Sequence, residues 1–420
     1  MGKQAKRNAA QRATDPHEPR GGDLLPGTFD RATGRAHIPR RANYWRALPG
    51  RRVACDLCYR ACELKPGETG WCRIRTNDGG TLRLTDHGVL TNWQTERLDN
   101  RYWRSWGKAL WAGGMACTAA CVFCSSTRVA WSPHRLPWAY GERRPATTGG
   151  HAYTRAMVHP QAIPAMAEEW GCRGFYLGVN EPLLTLEWSL DAARIAKDAG
   201  LFVNVDTNGF SSVEAIRALA PAVDMVFLGM KGWLSPDFYD RRMRSPGAVP
   251  HVKAAALAWK EGGVALGLSD VLTPPHWLAD DAAEEQMKRA YTWIAEELGP
   301  LTPVDCMPMV RPQREYPDGE RALLPRDPTL ADERRFLERI NLAEATARAC
   351  GLRYFSRADQ GRQVCHHCDA ILVDRLKHPD FTLNVGEDGR CGTCGGQTPI
   401  VGIARAEYDE LQRETAALAA

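Results

Sequence analysis

Short, continuously apolar segments alternate with longer amphipathic segments through the central part of the chain. Six segments have the length and apolar character of buried strands: KALWAGG (108–114), GFYLG (174–178), LFVNVD (201–206), DMVFL (224–228), VALGLSD (264–270) and PVDCMPM (303–309). The predicted helices are Pro160–Gly171, Leu186–Gly200, Ser211–Leu219, Val249–Gly262, Asp280–Leu298 and Leu330–Cys350. Strands that are apolar throughout and alternate with helices predict a parallel sheet covered by helices.

Six strand–helix units are too few for an eight-fold barrel. They predict an α/β fold that is either a partial (β/α)6 barrel of the TIM type or an open doubly wound sheet. In both architectures a functional site lies at the C-terminal ends of the strands. Gly171, Gly200 and Gly262 stand where helices are predicted to end, as C-cap glycines do.

The composition along the chain predicts four regions. Residues 1–50 are a flexible basic extension without apolar periodicity, and residues 51–107 form a Cys-rich module with lead-in strands. Residues 108–355 form the partial barrel. Residues 356–420 form a second Cys-rich module, of zinc-ribbon or rubredoxin-like type, followed by a predicted polar helix at Ala404–Leu418.

Charge and hydropathy exclude several classes of protein. The 420 residues include 54 basic and 50 acidic side chains, a net charge of +4 that is too small to indicate a nucleic-acid-binding surface. The chain has no run of 18 apolar residues and no apolar segment near its start, so we expect neither a membrane span nor a secretory signal, and a cytoplasmic location. In a reducing compartment, 14 cysteines indicate metal binding before disulfides. Eleven of them fall in three clusters, and Cys172, Cys306 and Cys350 are interpreted as small buried residues.

The central cluster, Cys117, Cys121 and Cys124 (the triad), directly follows the first predicted strand. Three thiolates within eight residues can ligate three irons of a cubane cluster and leave the fourth iron open to a substrate. The alternative is a zinc site completed by a distant fourth ligand.

The pattern Cys-x3-Cys-x-aromatic-Cys resembles the signature of the radical S-adenosylmethionine (SAM) superfamily. The resemblance implies a [4Fe-4S] cluster whose open iron binds SAM, reductive cleavage of SAM, and a 5′-deoxyadenosyl radical that abstracts hydrogen from a substrate. It also implies that Phe123 lies near the adenine ring. An aromatic residue between two cluster ligands would in addition shield the cluster from water.

Later strand ends are similar to further elements of the same superfamily. Gly178, Asn180 and Glu181 resemble its Gly-Gly-Glu-Pro or Asn-Glu-Pro element, which implies that Glu181 binds the SAM ammonium group. Asp206 and Asn208 resemble the Asp-Thr-Asn-Gly element, which implies contacts to ribose hydroxyls or a cation. Lys231 resembles the lysine of Asp-Leu-Lys, which implies a contact to the SAM carboxylate.

The ordered set of motifs over residues 52–402 resembles the radical SAM proteins related to pyruvate formate-lyase activating enzyme, in particular the AmmeMemoRadiSam-type branch. One position departs from the pattern. Gly229 replaces the aspartate of Asp-Leu-Lys, which ligates a cation in glycyl-radical activases, and this puts a strict activase assignment in doubt.

Two outer quartets of cysteines flank the barrel. The N-terminal quartet is Cys55, Cys58, Cys62 and Cys72, and the C-terminal quartet is Cys365, Cys368, Cys391 and Cys394. Four thiolates suit either a structural zinc or an auxiliary iron–sulfur cluster, and the spacing of the N-terminal quartet leaves both open. The C-terminal quartet has two Cys-x2-Cys knuckles, which is typical of a zinc ribbon, and His366 or His367 could replace one cysteine there.

The substrate side is less defined. Candidate residues are Asp270, Asp305 and Arg311, at or after later strand ends, and the Trp-rich insert Trp131–Trp138 could overhang the SAM pocket. The leading hypothesis is an enzyme acting on a small biosynthetic intermediate such as a sugar or amino sugar, by dehydration, epimerisation or decarboxylation. The alternatives are an activase that places a glycyl radical on a partner protein and a non-catalytic iron–sulfur or zinc protein. The expected partners are the substrate and an electron donor of flavodoxin or ferredoxin type, with no nucleic acid and no membrane.

Overall fold

The structure is a computed structural model. It describes residues 28–30, 35–37, 40–85, 87–97, 108–124, 126, 130, 143–144, 153–307, 309, 330–357, 362–374, 382–403, 406, 408, 409 and 413. Arg311, the insert Trp131–Trp138 and most of the predicted helix Ala404–Leu418 lie outside these residues. Within the described residues, no helix is long and apolar enough to cross a membrane.

The N-terminal region consists of short antiparallel strands in three small sheets. The strands are β1 (Thr28–Asp30), β2 (Arg35–His37), β3 (Arg40–Arg41), β4 (Trp45–Leu48), β5 (Arg52–Cys55), β6 (Glu63–Leu64), β7 (Arg75–Asp78) and β8 (Thr81–Leu84). Strand β1 pairs with β2, β3 and β7 pair with β8, and β4 and β6 pair with β5. A 3-10 turn at Pro49–Arg51 joins β4 to β5.

The central sheet has ten strands: β9 (Val89–Arg97), β10 (Lys108–Gly113), β11 (Arg143–Arg144), β12 (Tyr153–Met157), β13 (Gly174–Leu177), β14 (Phe202–Thr207), β15 (Met225–Lys231), β16 (Ala265–Val271), β17 (Val304–Met307) and β18 (Phe355–Arg357). Their order is β11-β12-β9-β10-β13-β14-β15-β16-β17-β18. Seven strands, β10 and β13 to β18, are mutually parallel. On the other side of β10 the sheet continues through β9, β12 and β11, which pair in antiparallel fashion. The prediction of a parallel sheet is confirmed, with β18 as a seventh strand that the apolar pattern did not indicate.

Helices connect successive parallel strands: α1 (Ile163–Glu169), α2 (Leu186–Asp198), α3 (Val213–Leu219), α4 (Pro236–Arg242), α5 (Val249–Glu261), α6 (Asp280–Trp293) and α7 (Leu330–Ala349). A π-helical turn, Ile294–Leu298, extends α6, and 3-10 turns lie at Pro160–Ala162, Pro182–Thr185, Ala220–Ala222 and Gly232–Leu234. Short α4 was not predicted.

The helix ends follow the glycine pattern with one exception. Gly171 and Gly200 adopt φ of 62° and 82°, the left-handed conformation expected after a helix. At the end of α5, Gly262 remains right-handed, and the left-handed residue is Gly263, with φ of 71°. The predicted C-cap position of Gly262 is therefore confirmed, and the left-handed residue is the glycine that follows it.

The N-terminal module docks on the outside of the barrel through a buried ion pair. Arg75 in β7 donates to both carboxylate oxygens of Glu187 in α2, over 2.9 and 2.7 Å, and both side chains are buried. Arg75 also donates to the carbonyl oxygens of Asn43 and Leu184. Apolar side chains such as Val53 and Leu82 pack in the same core as α2.

The C-terminal module covers another part of the barrel. Its strands are β19 (Arg362–Val364), β20 (Ile371–Asp374) and β21 (Thr382–Leu383), which form one antiparallel sheet. Leu372 and Val385 share a buried cluster with Met225 and Phe227 of β15, and Met307 of β17 packs against it. Since Phe227 and Met307 also line the central cavity, this module supports the wall of that cavity.

Candidate active site

A cavity of about 340 Å³ lies at the C-terminal ends of the parallel strands. Six neighbouring strands, β10 and β13 to β17, each contribute to its lining, with Trp111, Tyr176, Asp206, Lys231, Ser269 and Met307 in that order. Contributions from six consecutive strands to one cavity require a concave sheet, so the partial barrel is the observed architecture. The site therefore lies at the edge where the fold predicts it.

The triad projects into this cavity from the loop that follows β10. Cys117, Cys121 and Cys124 all line it, and Phe123 lies beside them, tilted against Phe238 with ring centroids 5.4 Å apart. Burial, followed by the charge of Glu181, raises the pKa of the Cys117 thiol to about 12. Thiolates at this depth therefore require a compensating cation, which bound iron supplies.

Two non-glycine residues at the site adopt left-handed backbone conformations. Ala116, directly before Cys117, has φ of 71°, and Val179, directly after Gly178, has φ of 78°. This conformation is costly for a β-branched residue such as Val179. Val179 lines the cavity, so the strained turn shapes the cavity wall at the end of β13.

Asn180 joins that turn to the triad loop. Its Nδ2 group donates to the carbonyl oxygens of Met115 and Ala116, over 3.2 and 2.9 Å. Its Oδ1 atom is buried and has no hydrogen-bond partner in the structure, although the residue lines the cavity. A buried acceptor without a partner is costly, so this atom is suited to a ligand that donates a hydrogen bond, such as an ammonium group.

Glu181 is placed differently from Asn180. Its carboxylate accepts hydrogen bonds from the hydroxyl of Thr207 and from the backbone N–H groups of Leu183 and Asn208, and its side chain is fully buried and outside the cavity lining. Burial raises its pKa to about 7. These bonds tie the end of β13 to the end of β14, which positions the two adjacent polar turns.

The β14 end presents two polar groups. Asp206 lines the cavity and accepts a short hydrogen bond from the hydroxyl of Tyr176. Asn208 donates from Nδ2 to Sγ of Cys117 over 3.4 Å and to the hydroxyl of Thr118 over 2.8 Å. Asn208 therefore contacts a cluster ligand directly.

Lys231 supplies the positive charge in the cavity. It ends β15, lines the cavity, and its charge lowers the pKa of the Cys117 and Cys121 thiols against the larger effect of burial. Its ammonium group lies over Gly229, where an added Cβ atom would collide with Nζ. The position that departs from the family pattern thus lies next to this ammonium group.

These residues fit a [4Fe-4S] cluster and SAM. Three thiols line the same cavity as an ammonium group, an aspartate and an acceptor that lacks a partner. The amino-acid part of SAM carries an ammonium and a carboxylate group, which are complementary to Asn180 Oδ1 and Lys231. The predicted cofactor-binding residues that line this cavity are Phe123, Asn180, Asp206, Asn208 and Lys231. Gly178 is not among the lining residues, but the next residue, Val179, is.

Two of the three proposed substrate residues, Asp270 and Asp305, lie outside the cavity lining, and Arg311 lies outside the described residues. Asp270 is buried between Ser269 and Val271, which line the cavity, and its carboxylate accepts from the Tyr291 hydroxyl of α6 at 2.8 Å. Asp305 is buried and accepts from the hydroxyl of Ser356 over 3.0 Å. The motifs missed Trp111, Tyr176 and Met307, because these belong to no motif. The two-residue alternation of side chains along each strand is the signal that could have found them.

The C-terminal quartet has the geometry of a mononuclear metal site. Its four sulfurs lie within 4.8 Å of one another, with Sγ–Sγ distances of 3.7 Å for Cys365 and Cys394 and 3.9 Å for Cys368 and Cys391. Four sulfurs around zinc at 2.3 Å are about 3.8 Å apart. His366 is not part of the group, since its Nδ1 is 2.8 Å from the hydroxyl of Tyr354.

Comparisons with known proteins agree with this site. The sequence profile of the Radical SAM superfamily matches residues 113–275. An uncharacterized protein of Methanocaldococcus jannaschii is 25% identical over 374 residues, which are 86% of this chain and 99% of that protein. Residues 113–275 thus match a Radical SAM superfamily domain, and that superfamily implies a [4Fe-4S] cluster and SAM as cofactors and supports SAM-dependent radical chemistry.

The solved structures that the comparison found include SuiB of Streptococcus suis bound to S-adenosylmethionine, with a TM-score of 0.39 and 15% identity over 60% of this chain and 49% of SuiB. Another is HydG, a maturase of the [FeFe]-hydrogenase, with a TM-score of 0.37 and 12% identity over 76% of this chain and 64% of HydG. The chain therefore spans about half the length of SuiB.

Proposed function

We propose that this protein is a radical SAM enzyme that abstracts hydrogen from a small-molecule biosynthetic substrate. The observation that carries the proposal is the convergence of the triad, Asn180, Asp206 and Lys231 on one cavity at the C-terminal ends of the strands. When bound there, the cluster and SAM supply a 5′-deoxyadenosyl radical. The electron for this step comes from an external donor of flavodoxin or ferredoxin type.

The chain's own residues hold and orient SAM. Asn180 Oδ1 accepts from the ammonium group, and Lys231 pairs with the carboxylate. Asp206, held by the Tyr176 hydroxyl, accepts from ribose hydroxyls, and Phe123 covers the adenine side. Glu181 does not contact SAM in this arrangement. Its carboxylate accepts a hydrogen bond from the Asn208 backbone N–H and so holds the Asn208 turn in place.

The remaining cavity wall favours a small substrate. Trp111, Phe227 and Met307 give this wall apolar surface, and Ser269 adds a hydroxyl group. A cavity with apolar walls and few polar groups is typical of small-molecule sites. A sugar or amino sugar stays the substrate class proposed from the sequence, because this apolar wall does not itself select a polyhydroxylated molecule.

Within the radical SAM proteins, we place this chain beside the relatives of pyruvate formate-lyase activating enzyme, in the AmmeMemoRadiSam-type branch. The activase reaction itself is disfavoured by Gly229. Glycine has no carboxylate, so the cation ligand that the resemblance implies for activases is missing at this position.

The test is anaerobic reconstitution with iron and sulfide, followed by dithionite and SAM, with 5′-deoxyadenosine measured by mass spectrometry. We expect slow formation of 5′-deoxyadenosine that Cys117→Ala abolishes. The matched control is Cys350→Ala, which keeps the activity, because Cys350 lies outside the cavity lining with its sulfur 3.6 Å from the Thr292 hydroxyl. Absence of 5′-deoxyadenosine from protein with a full cluster content and bound SAM would contradict the proposal.

A further inference from the structure

The three cysteine clusters differ in the spacing of their sulfurs. Within the described part of the chain, the C-terminal quartet is the group of possible metal ligands whose donor atoms all lie within 4.8 Å of one another. The triad and the N-terminal quartet do not reach this spacing, although all seven of their cysteines are described. A single metal ion draws its four ligands together, whereas a cubane cluster spaces them widely because each sulfur binds a different iron.

All four cysteines of the N-terminal quartet line one small cavity. Its volume is about 20 Å³, and Cys55, Cys58, Cys62 and Cys72 line it together with Trp71. This volume is larger than the space that one water molecule requires, whereas four sulfurs in contact around a zinc ion enclose no such space. The quartet therefore borders an open volume, and its sulfurs do not converge as those of the C-terminal quartet do.

The N-terminal quartet lies directly behind the triad. Thr118, the residue after Cys117, lines the quartet cavity as well. The backbone of Tyr59, within the quartet, donates to the carbonyl oxygen of Phe210, two residues after Asn208. The two cysteine clusters are thus on opposite sides of the same short loops.

Arg60 lies between the two clusters. Its Nε donates to the carbonyl oxygen of Thr118 over 2.8 Å, and its guanidinium group stacks on Trp71 at 3.9 Å. It also donates to the carbonyl oxygen of Arg244 over 2.8 Å. A guanidinium group held this way places one positive charge beside both sets of thiolates.

We infer that the N-terminal quartet binds a cubane iron–sulfur cluster instead of zinc, and that Arg60 is a positioning residue whose charge acts on this cluster and on the triad cluster. The C-terminal quartet binds the zinc. This assignment concerns metal content and does not depend on the reaction proposed above.

The deciding experiment uses the full-length chain with the triad removed, Cys117→Ala/Cys121→Ala/Cys124→Ala. After anaerobic reconstitution with iron and sulfide, we expect about four iron and four sulfide ions per chain, with the visible absorbance and the reduced-state electron paramagnetic resonance (EPR) signal of a cluster. We also expect about one zinc ion per chain. Less than one iron per chain in this soluble variant, with or without a second zinc, would overturn the assignment.

The complementary variant guards against a folding defect in the first. Cys58→Ser/Cys62→Ser should reduce the iron content of the otherwise intact chain to about half, while Cys350→Ala leaves it unchanged. Full iron content in Cys58→Ser/Cys62→Ser would overturn the assignment. Because neither measurement uses SAM, failure here and failure of the proposed reaction give different results.

The role of Arg60 is tested by EPR-monitored redox titration. Loss of a nearby positive charge disfavours the reduced, more negative cluster, so Arg60→Gln should make the reduction potentials of both clusters more negative. Arg60→Lys should recover part of this shift, since it restores the charge without the planar contacts. Unchanged potentials in Arg60→Gln with full iron content would overturn the positioning role.

Discussion

Asn208 donates a hydrogen bond from its side-chain amide to the sulfur of Cys117 over 3.4 Å, and its own backbone N–H donates to Glu181 over 2.8 Å. One residue at the end of β14 therefore connects a cluster ligand to a buried carboxylate at the end of β13. Hydrogen bonds to cluster sulfurs are among the interactions that set reduction potential. Asn208 is therefore placed to tune the triad cluster.

The first prediction concerns this bond. Asn208→Ala removes the donor to Cys117, so the potential of the triad cluster should become more negative while iron content stays the same. An EPR-monitored redox titration of reconstituted protein measures the effect. Asn204→Ala, a buried asparagine earlier in the same strand, is the matched control. Equal potentials in wild type and Asn208→Ala would show that the bond does not act on the cluster.

The second prediction concerns Lys231 and SAM. Lys231→Ala removes the ammonium group from the cavity, and a lost charge-assisted bond of about 1.5–3 kcal/mol weakens binding by about 10-fold or more. Equilibrium dialysis of the reconstituted protein with SAM gives the affinity. Lys260→Ala, which removes an exposed lysine that donates to the Glu297 carbonyl oxygen, should bind SAM as the wild type does. Similar affinities for both variants would remove Lys231 from the SAM site.

The third prediction concerns the buried carboxyl group of Asp270. Burial raises its pKa from the ordinary 3.8 to about 7. The folded protein then holds a proton that the unfolded chain has released, so the stability contributed by this group falls as the pH rises from about 4 to about 7. Asp270→Asn removes this dependence, because an amide does not titrate.

Denaturant unfolding at pH 6 and pH 8 measures this effect. The free energy of unfolding of Asp270→Asn minus that of wild type should be about 1 kcal/mol larger at pH 8 than at pH 6. Asp237→Asn, an exposed aspartate in α4, should show no such change between the two values. If the difference in free energy of unfolding between wild type and Asp270→Asn is the same at both pH values, the pKa of this carboxyl group is not raised in the folded protein.

The fourth prediction concerns the buried pair of Arg75 and Glu187. Arg75→Met leaves the Glu187 carboxylate buried without its cation, which should destabilise the protein by about 3–5 kcal/mol. Arg75→Met/Glu187→Leu removes both charges and should be less destabilised than the single variant. Unfolding midpoints measured anaerobically, with Arg217→Met as an exposed control, test the order. A double variant less stable than Arg75→Met would contradict this account.

Parts of this fold followed from local patterns. The apolar segments from Lys108 to Met309 predicted six parallel strands because buried strands have to be apolar on both faces. The strand Phe355–Arg357 was missed, since three residues that include a serine and an arginine show no such pattern. Helix α4 was missed because Pro236–Arg242 is short and mostly polar.

The chemistry available to this protein could be predicted from the sequence, since the cysteine spacings, the turns at Asn180 and Asp206 and Lys231 can all be recognised along the chain. Which of these groups act together depends on the fold. It buried Glu181 and Asp270 away from the cavity, placed Lys231 over Gly229, and separated one converging cysteine quartet from one that borders an open volume. The physical reason is that spacing along a chain limits which ligands can meet, while packing between distant segments sets the distances and the burial on which metal identity and charge depend.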